Sequence, residues 1–330
     1  MSNVDAAPPR NSSLSPLSSG SKGEKSGFPP PVRGAFALFG LLAVGLVSVA
    51  WHGDGRGSPS FEFGDDAGAL LLQQRLPMQV NERVELWVQR FLTTHRAQME
   101  EYLVREGLYG DMIREKLRQR GMPQELIYLA MIESGFQTSA RSSAAATGVW
   151  QFLGATARAY GMVVDGWVDE RRDPVRATDA ALDYLEALYQ EFGSWYLAAA
   201  AYNAGPQRVS AALARQGKEN GGDEALYWLI IQDLPRETQE YVPKLLAAAL
   251  LGQQAAHFGL ETERSHPYLF ENLMVPGGTP LSEVAIQIGA SASLVRELNP
   301  HLVRGMTPPG APHPVRVPLG TSDRSVWRIP

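Results

Sequence analysis

One glutamate stands at the end of a long apolar run. The run follows Gly121 and Pro123 and passes through Leu126, Ile127, Leu129, Ala130 and Ile132 to reach Glu133. Gly121 ends the preceding segment, and Pro123 suits the first turn of a new helix. A helix apolar on nearly every face is a buried helix. The helical neighbours of Glu133 at i−4 and i−3 are Leu129 and Ala130. A carboxylate in that position is poorly solvated, so its neutral form is favoured and its pKa rises. A general acid working near neutral pH needs that shift. Most glutamates near helix ends are instead solvated or paired, so Glu133 acquires a catalytic meaning only from what accompanies it.

Three further stretches accompany it: 148–153 (Gly-Val-Trp-Gln-Phe-Leu), 201–205 (Ala-Tyr-Asn-Ala-Gly) and 237–242 (Glu-Thr-Gln-Glu-Tyr-Val). Gly148 either lets backbone approach a ligand closely or simply turns the chain. Trp150 reads as core. Gln151 is more informative, because a buried amide needs partners. Tyr202 and Asn203 fall at the C-terminal end of a helix, where side chains can reach a groove. Tyr202 and Tyr241 each serve equally well as core tyrosines.

Glu133-Ser134, then Gly148-x-Trp150-Gln151, then Ala-Tyr202-Asn203-Ala-Gly205, then Glu237-Thr238-x-x-Tyr241-Val242, in that order, resembles the lytic transglycosylases with a goose-type lysozyme fold. The similarity spans residues 81–260 and is greatest to the membrane-bound lytic murein transglycosylase D group. It implies cleavage of the β-1,4 bond between N-acetylmuramic acid and N-acetylglucosamine in peptidoglycan, with a 1,6-anhydro product. It also implies Glu133 as the catalytic acid and base, with Ser134 and Gln151 contacting substrate near the scissile bond. Leu153 would line the groove. Tyr202 and Tyr241 would orient Glu133 or the sugar, and Asn203 would support the end of the Tyr202 helix. Ordinary glycosidases use two carboxylates. The expectation is that Glu133 acts alone, since of the nearby candidates Asp169, Glu170 and Asp173, the last is better used as a helix cap. A hydrolase of the same fold, a goose-type lysozyme, and a non-catalytic wall-binding protein are the alternatives. The buried carboxylate speaks against the second.

Composition narrows the field. The net charge of −5 comes without a long basic run, so nucleic acid is not an expected partner. The chain has no cysteine, which excludes disulfides, a Cys nucleophile, Cys-ligated zinc and a lipidated-Cys anchor. Its six histidines show no i, i+4 pair, so no metal or other cofactor is expected. No protein partner is indicated.

The expected fold is mainly α, a lysozyme-like helical catalytic domain followed by a small α+β module. Residues 1–33, rich in Ser, Pro and Gly, read as a disordered tail. Residues 34–51 are uncharged and apolar, at the short end of what spans a bilayer. Basic residues precede this run and acidic ones follow, which would leave the N-terminus in the cytoplasm and the catalytic part in the periplasm. An uncleaved inner-membrane anchor is preferred to a cleaved signal, although Ser48-Val49-Ala50 resembles a cleavage site. Residues 52–80 form a linker.

In the catalytic region, 81–262, helical spacing covers 81–95 and 96–119, with breaks expected near Gly107 and Gly110. Residues 137–147 read as a loop, and a short helix over 156–160 stops at Gly161. Asp173-Pro174 opens a helix that Gly193 closes, and Ser194 caps the next. A short helix over 209–215 and a Pro235-led helix kinked at Pro243 complete it. Over 266–320 the order strand, helix, helix, strand (268–275, 281–288, 292–298, 315–318) resembles a LysM peptidoglycan-binding module, with Gly278-Thr279-Pro280-Leu281 where Asp-Thr-Leu is usual. The two parts are expected to be separable.

Overall fold

A computed structural model describes residues 75–218, 221–260, 263–325 and 327. The tail, the apolar run at 34–51 and most of the linker lie outside them. Among the described residues, no helix is long and apolar enough to cross a membrane. All of them fall within a single compact unit.

The architecture is mainly α. Helices α1 (Glu82–Leu92) and α2 (Arg96–Gln119) lead to a 3-10 turn at Gln124–Leu126 and α3 (Ile127–Ser134). There follow α4 (Gly154–Ala159), α5 (Pro174–Phe192), α6 (Trp195–Ala204), α7 (Pro206–Arg215), α8 (Ala225–Ile230) and α9 (Arg236–Gln253). The C-terminal part is β1 (Glu271–Val275), α10 (Leu281–Ile288), α11 (Ala292–Leu298) and β2 (His313–Val317). Its two strands pair antiparallel, with Leu273 opposite Val315.

The caps expected at Asp173 and Ser194 are made: Asp173 accepts from the amides of Val175 and Arg176, and Ser194 from Leu197. Asn81, not singled out in the sequence, accepts in the same way from Arg83 and Val84. These bonds satisfy amides that the first turn of a helix leaves without partners. Gly135 and Gly193 end α3 and α5 in the left-handed conformation.

The breaks expected near Gly107 and Gly110 do not occur, and α2 runs unbroken. Gly107 is there for close packing: a Cβ would overlap the backbone of Ser265, whose amide donates to Val104 O. Pro243 does sit inside α9. It has no N–H to give the carbonyl of Gln239, four residues back. The hydroxyl of Tyr227 reaches that carbonyl at 3.1 Å and the neighbouring Thr238 carbonyl at 3.0 Å. The first strand is shorter than expected, and the second begins two residues earlier and ends one earlier, at His313–Val317. Residues 268–270 lead into β1 without joining it, because the ladder begins where Glu271 meets Val317.

Two apolar cores form. The larger centres on α3, α6 and α9, with Leu129, Ala130, Ala199, Leu245 and Leu246 fully buried. The smaller holds Val275, Val284, Ile288, Val295 and Val315, and it takes in Val168 from the helical part. The five alanines of α6 are all buried, and their small side chains let α5, α7 and α9 approach it closely.

Candidate active site

Glu133 occupies the last turn of α3 and is partly exposed, at the edge of a buried helix. The Tyr241 hydroxyl, from α9, donates to Glu133 Oε1 at 2.6 Å. Loss of solvation pushes the Glu133 pKa up to about 7, against the lowering effects of the Tyr241 bond and the Lys244 charge; Glu237 adds a smaller upward push. The carboxyl is therefore poised between acid and base near neutrality.

Lys244 lies one turn beyond Tyr241 on α9. Its Nζ donates to Ile132 O at 3.3 Å and stands 5.6 Å from the centre of the Trp87 ring. Burial lowers its pKa, partly offset by Glu133 and Glu237. Tyr202, at the end of α6, donates to Trp150 O at 2.8 Å. Burial, reinforced by the Glu133 charge, raises both Tyr202 and Tyr241 well above the ordinary phenol range. Both remain neutral donors.

The segment joining Glu133 to Leu153 is unusual in its backbone. Phe136, Ala145 and Gln151 are the non-glycine residues with positive φ among the described residues, and all three lie within it. Such conformations cost about 1–3 kcal/mol each and persist only where the surroundings impose them. Here hydrogen bonds do so. Ser134 Oγ donates to Val149 O at 2.8 Å and accepts from the amide of Gln137. Gln151 Nε2 donates to Gly148 O at 2.9 Å and Ala140 O at 3.2 Å. Trp150 is fully buried and donates to Thr178 on α5 at 2.9 Å.

The four sequence stretches thus converge. Glu133 and Tyr241 touch, and Tyr202 holds the Trp150 backbone. Asn203 joins the last two stretches: its Oδ1 accepts from Thr238 Oγ1 at 2.7 Å, and its Nδ2 donates to Glu237 Oε1 at 3.1 Å. Leu153 is 48% exposed, at the start of α4. Ser134 is buried, and its hydroxyl proton goes to backbone rather than to open space.

Two features were passed over in the sequence. Glu237 is a second carboxylate inside the fourth stretch and influences Glu133, so the carboxylates to weigh were not only Asp169, Glu170 and Asp173. Lys244 was also missed. Its signal was its position three residues after Tyr241, on the same helical face. Among the described residues, no cluster of side chains could hold a metal ion.

A desolvated glutamate held by a tyrosine beside an amide-stitched loop can do general acid–base chemistry. Residues 111–224 match the family model described as the transglycosylase SLT domain. Over 248 residues it is 31% identical to a membrane-bound lytic murein transglycosylase D of Escherichia coli K12, covering 74% of this chain and 53% of that one. Over 104 residues it is 36% identical to the peptidoglycan transglycosylase gp16 of Escherichia phage T7, covering 31% of this chain and 8% of that one. The lytic transglycosylase Slt of Pseudomonas aeruginosa, solved as an inactive E503Q mutant, is 26% identical, with 44% of this chain and 24% of that chain covered at a TM-score of 0.36. The chain spans about half the length of the transglycosylase D relative it matches.

Proposed function

We propose that this protein is a peptidoglycan lytic transglycosylase that cleaves the β-1,4 bond between N-acetylmuramic acid and N-acetylglucosamine. The observation that carries this reading is Glu133, poorly solvated, protonated in part at neutrality and held by Tyr241. In the first step Glu133 gives its proton to the glycosidic oxygen, and the bond to the muramoyl C1 breaks. In the second the carboxylate takes the proton of the same sugar's C6 hydroxyl, and that oxygen closes onto C1. The proton returns to Glu133, no water is consumed, and the product carries a 1,6-anhydro ring.

Tyr241 holds the carboxyl in place through both steps, and Lys244 steadies the anionic form between them. Gln151 spends its amide N–H groups on backbone, which leaves Oε1 for a sugar donor. Leu153 offers an apolar surface to a sugar face. Tyr202 and Asn203 fix the backbone and the Glu237–Thr238 turn beside Glu133, and Ser134 fastens the loop. Glu237 accepts from Asn203 through Oε1. The C-terminal part is a LysM-like module that contacts the same polymer, and residues 34–51 attach the chain to the inner membrane with the groove in the periplasm.

The test is the mass of released muropeptides from the wild type and Glu133→Gln. Anhydro ends that vanish in the variant support the lyase. Reducing ends that vanish in it make the protein a lysozyme. Activity that persists in a folded variant removes Glu133 from the mechanism.

A further inference from the structure

The C-terminal module is joined to the wall of the groove by a strap, residues 163–173. On its outer side the strap is part of the module. Val168 sits in the module's core and bridges Leu302. The Asp169 amide donates to His301 O at 2.9 Å, the Val303 amide to Trp167 O at 3.1 Å, and Arg304 Nε to Gly166 O at 2.8 Å. The Arg304 guanidinium lies over the Trp167 ring at 4.2 Å. At the strap's end, Arg316 of β2 reaches across to Asp173. Its Nη2 donates to both carboxylate oxygens, at 2.9 and 2.7 Å, and both residues are buried. Asp173 also caps α5, the helix to which Trp150 is tied through Thr178.

On its inner side the same strap holds the segment that carries Gln151. Arg171 is fixed by Asp169, with Nε and Nη2 donating to its two oxygens at 2.8 Å each. Arg171 Nη1 then donates to Ala145 O at 3.0 Å and Phe152 O at 3.2 Å. Its own carbonyl packs so closely on Gly148 that a Cβ there would overlap it. One arginine therefore holds, from outside, the strained residue Ala145 and the residue that follows strained Gln151.

We infer that Arg171 is a positioning residue for the groove wall at 145–153, and that the docked C-terminal module sets this position through the strap. Cleavage of short glycans, too short to reach a second binding site, then depends on the module. On this inference the two parts are not separable, against the expectation from sequence. This inference rests on the function proposed above for what it says of kinetics, and on structure alone for what it says of the loop.

The test uses the full chain. Asp173→Asn combined with Arg316→Gln removes the ion pair while keeping a good helix cap. Arg171→Met cuts the link on the groove side and leaves the module docked. Native-state amide exchange is followed at 299–304 and at 147–152, with kcat and KM on short soluble glycans. The double variant should speed exchange at both segments, and Arg171→Met at 147–152 only. Both should lower kcat/KM on short glycans by about tenfold or more, as a displaced substrate-positioning element does. The pH dependence set by Glu133 should not move, which separates misplacement of the wall from damage to the acid. A folded double variant with faster exchange at 299–304 but none at 147–152, and unchanged short-glycan kinetics, overturns the inference. If the wild type cleaves no glycan at all, the proposed function fails, and the exchange measurements still decide the coupling.

Discussion

Glu133→Gln should make the protein more stable, and only above a certain pH. The carboxyl ionises near 4.5 in an unfolded chain and near 7 in the fold, chiefly because the fold desolvates it. Between those values the folded state holds the proton and the unfolded state does not. Stability then falls as pH rises through that window. The full shift corresponds to about 3 kcal/mol, an upper value because water reaches the open side of the groove. Glutamine matches the neutral acid in size and still accepts from Tyr241, so it escapes the penalty. The charges and phenols around the site (Lys244, Glu237, Tyr202 and Tyr241) are present in both proteins and largely cancel in the difference. For a domain of this size, about 3 kcal/mol means roughly 5–10 °C in Tm. The assay is thermal unfolding of both proteins from pH 4.5 to 8.5. The curves should coincide near pH 4.5, separate through pH 6–7 and stay apart above it. A gap that is the same at every pH, or a glutamine variant that is less stable at pH 8.5, refutes the desolvation argument.

Tyr241→Phe removes the 2.6 Å donor that holds the Glu133 pKa down. The alkaline limb of the pH–rate profile should move to higher pH, and kcat should fall by about tenfold or more. Lys244→Met should move the same limb in the same direction through loss of a nearby cation, which pH–rate profiles would read directly. Gly148→Ala places a Cβ on the Arg171 carbonyl at a φ of +86°, so it should destabilise by about 1–3 kcal/mol or more in denaturant titration. Tyr227→Phe strands the Gln239 carbonyl beside Pro243 and should cost about 1–2 kcal/mol, measurable the same way.

The helices were legible because their signals are local. Asp173 and Ser194 announce helix starts by their own chemistry, and Gly135 and Gly193 announce ends. Gly107 was misread for the same reason: a glycine that breaks a helix and one that admits a neighbouring backbone look alike until the neighbour, Ser265, is known. The burial of Glu133 followed from its helical neighbours. Its pairing with Tyr241, 108 residues away, did not follow from any periodicity and came only through the ordered motifs. The Asp173–Arg316 pair, 143 residues apart, had no local trace, because Asp173 already had a sufficient explanation as a cap.

The segment ahead of α1 is gripped by the turn that leads into α3, by the end of α9 and by the start of α6. The Leu76 amide donates to Glu125, and Gln253 secures the other oxygen of that carboxylate. The Tyr196 hydroxyl meets the Pro77 carbonyl and the Gln79 amide. Glu125 lies eight residues before Glu133, and Tyr196 six before Tyr202. At 1.5 Å per helical residue, Tyr196 and Tyr202 are roughly 9 Å apart along α6. Residues 76–79 are therefore fixed to the molecule through the Gln124–Leu126 turn and the start of α6, away along the chain from Glu133 and Tyr202.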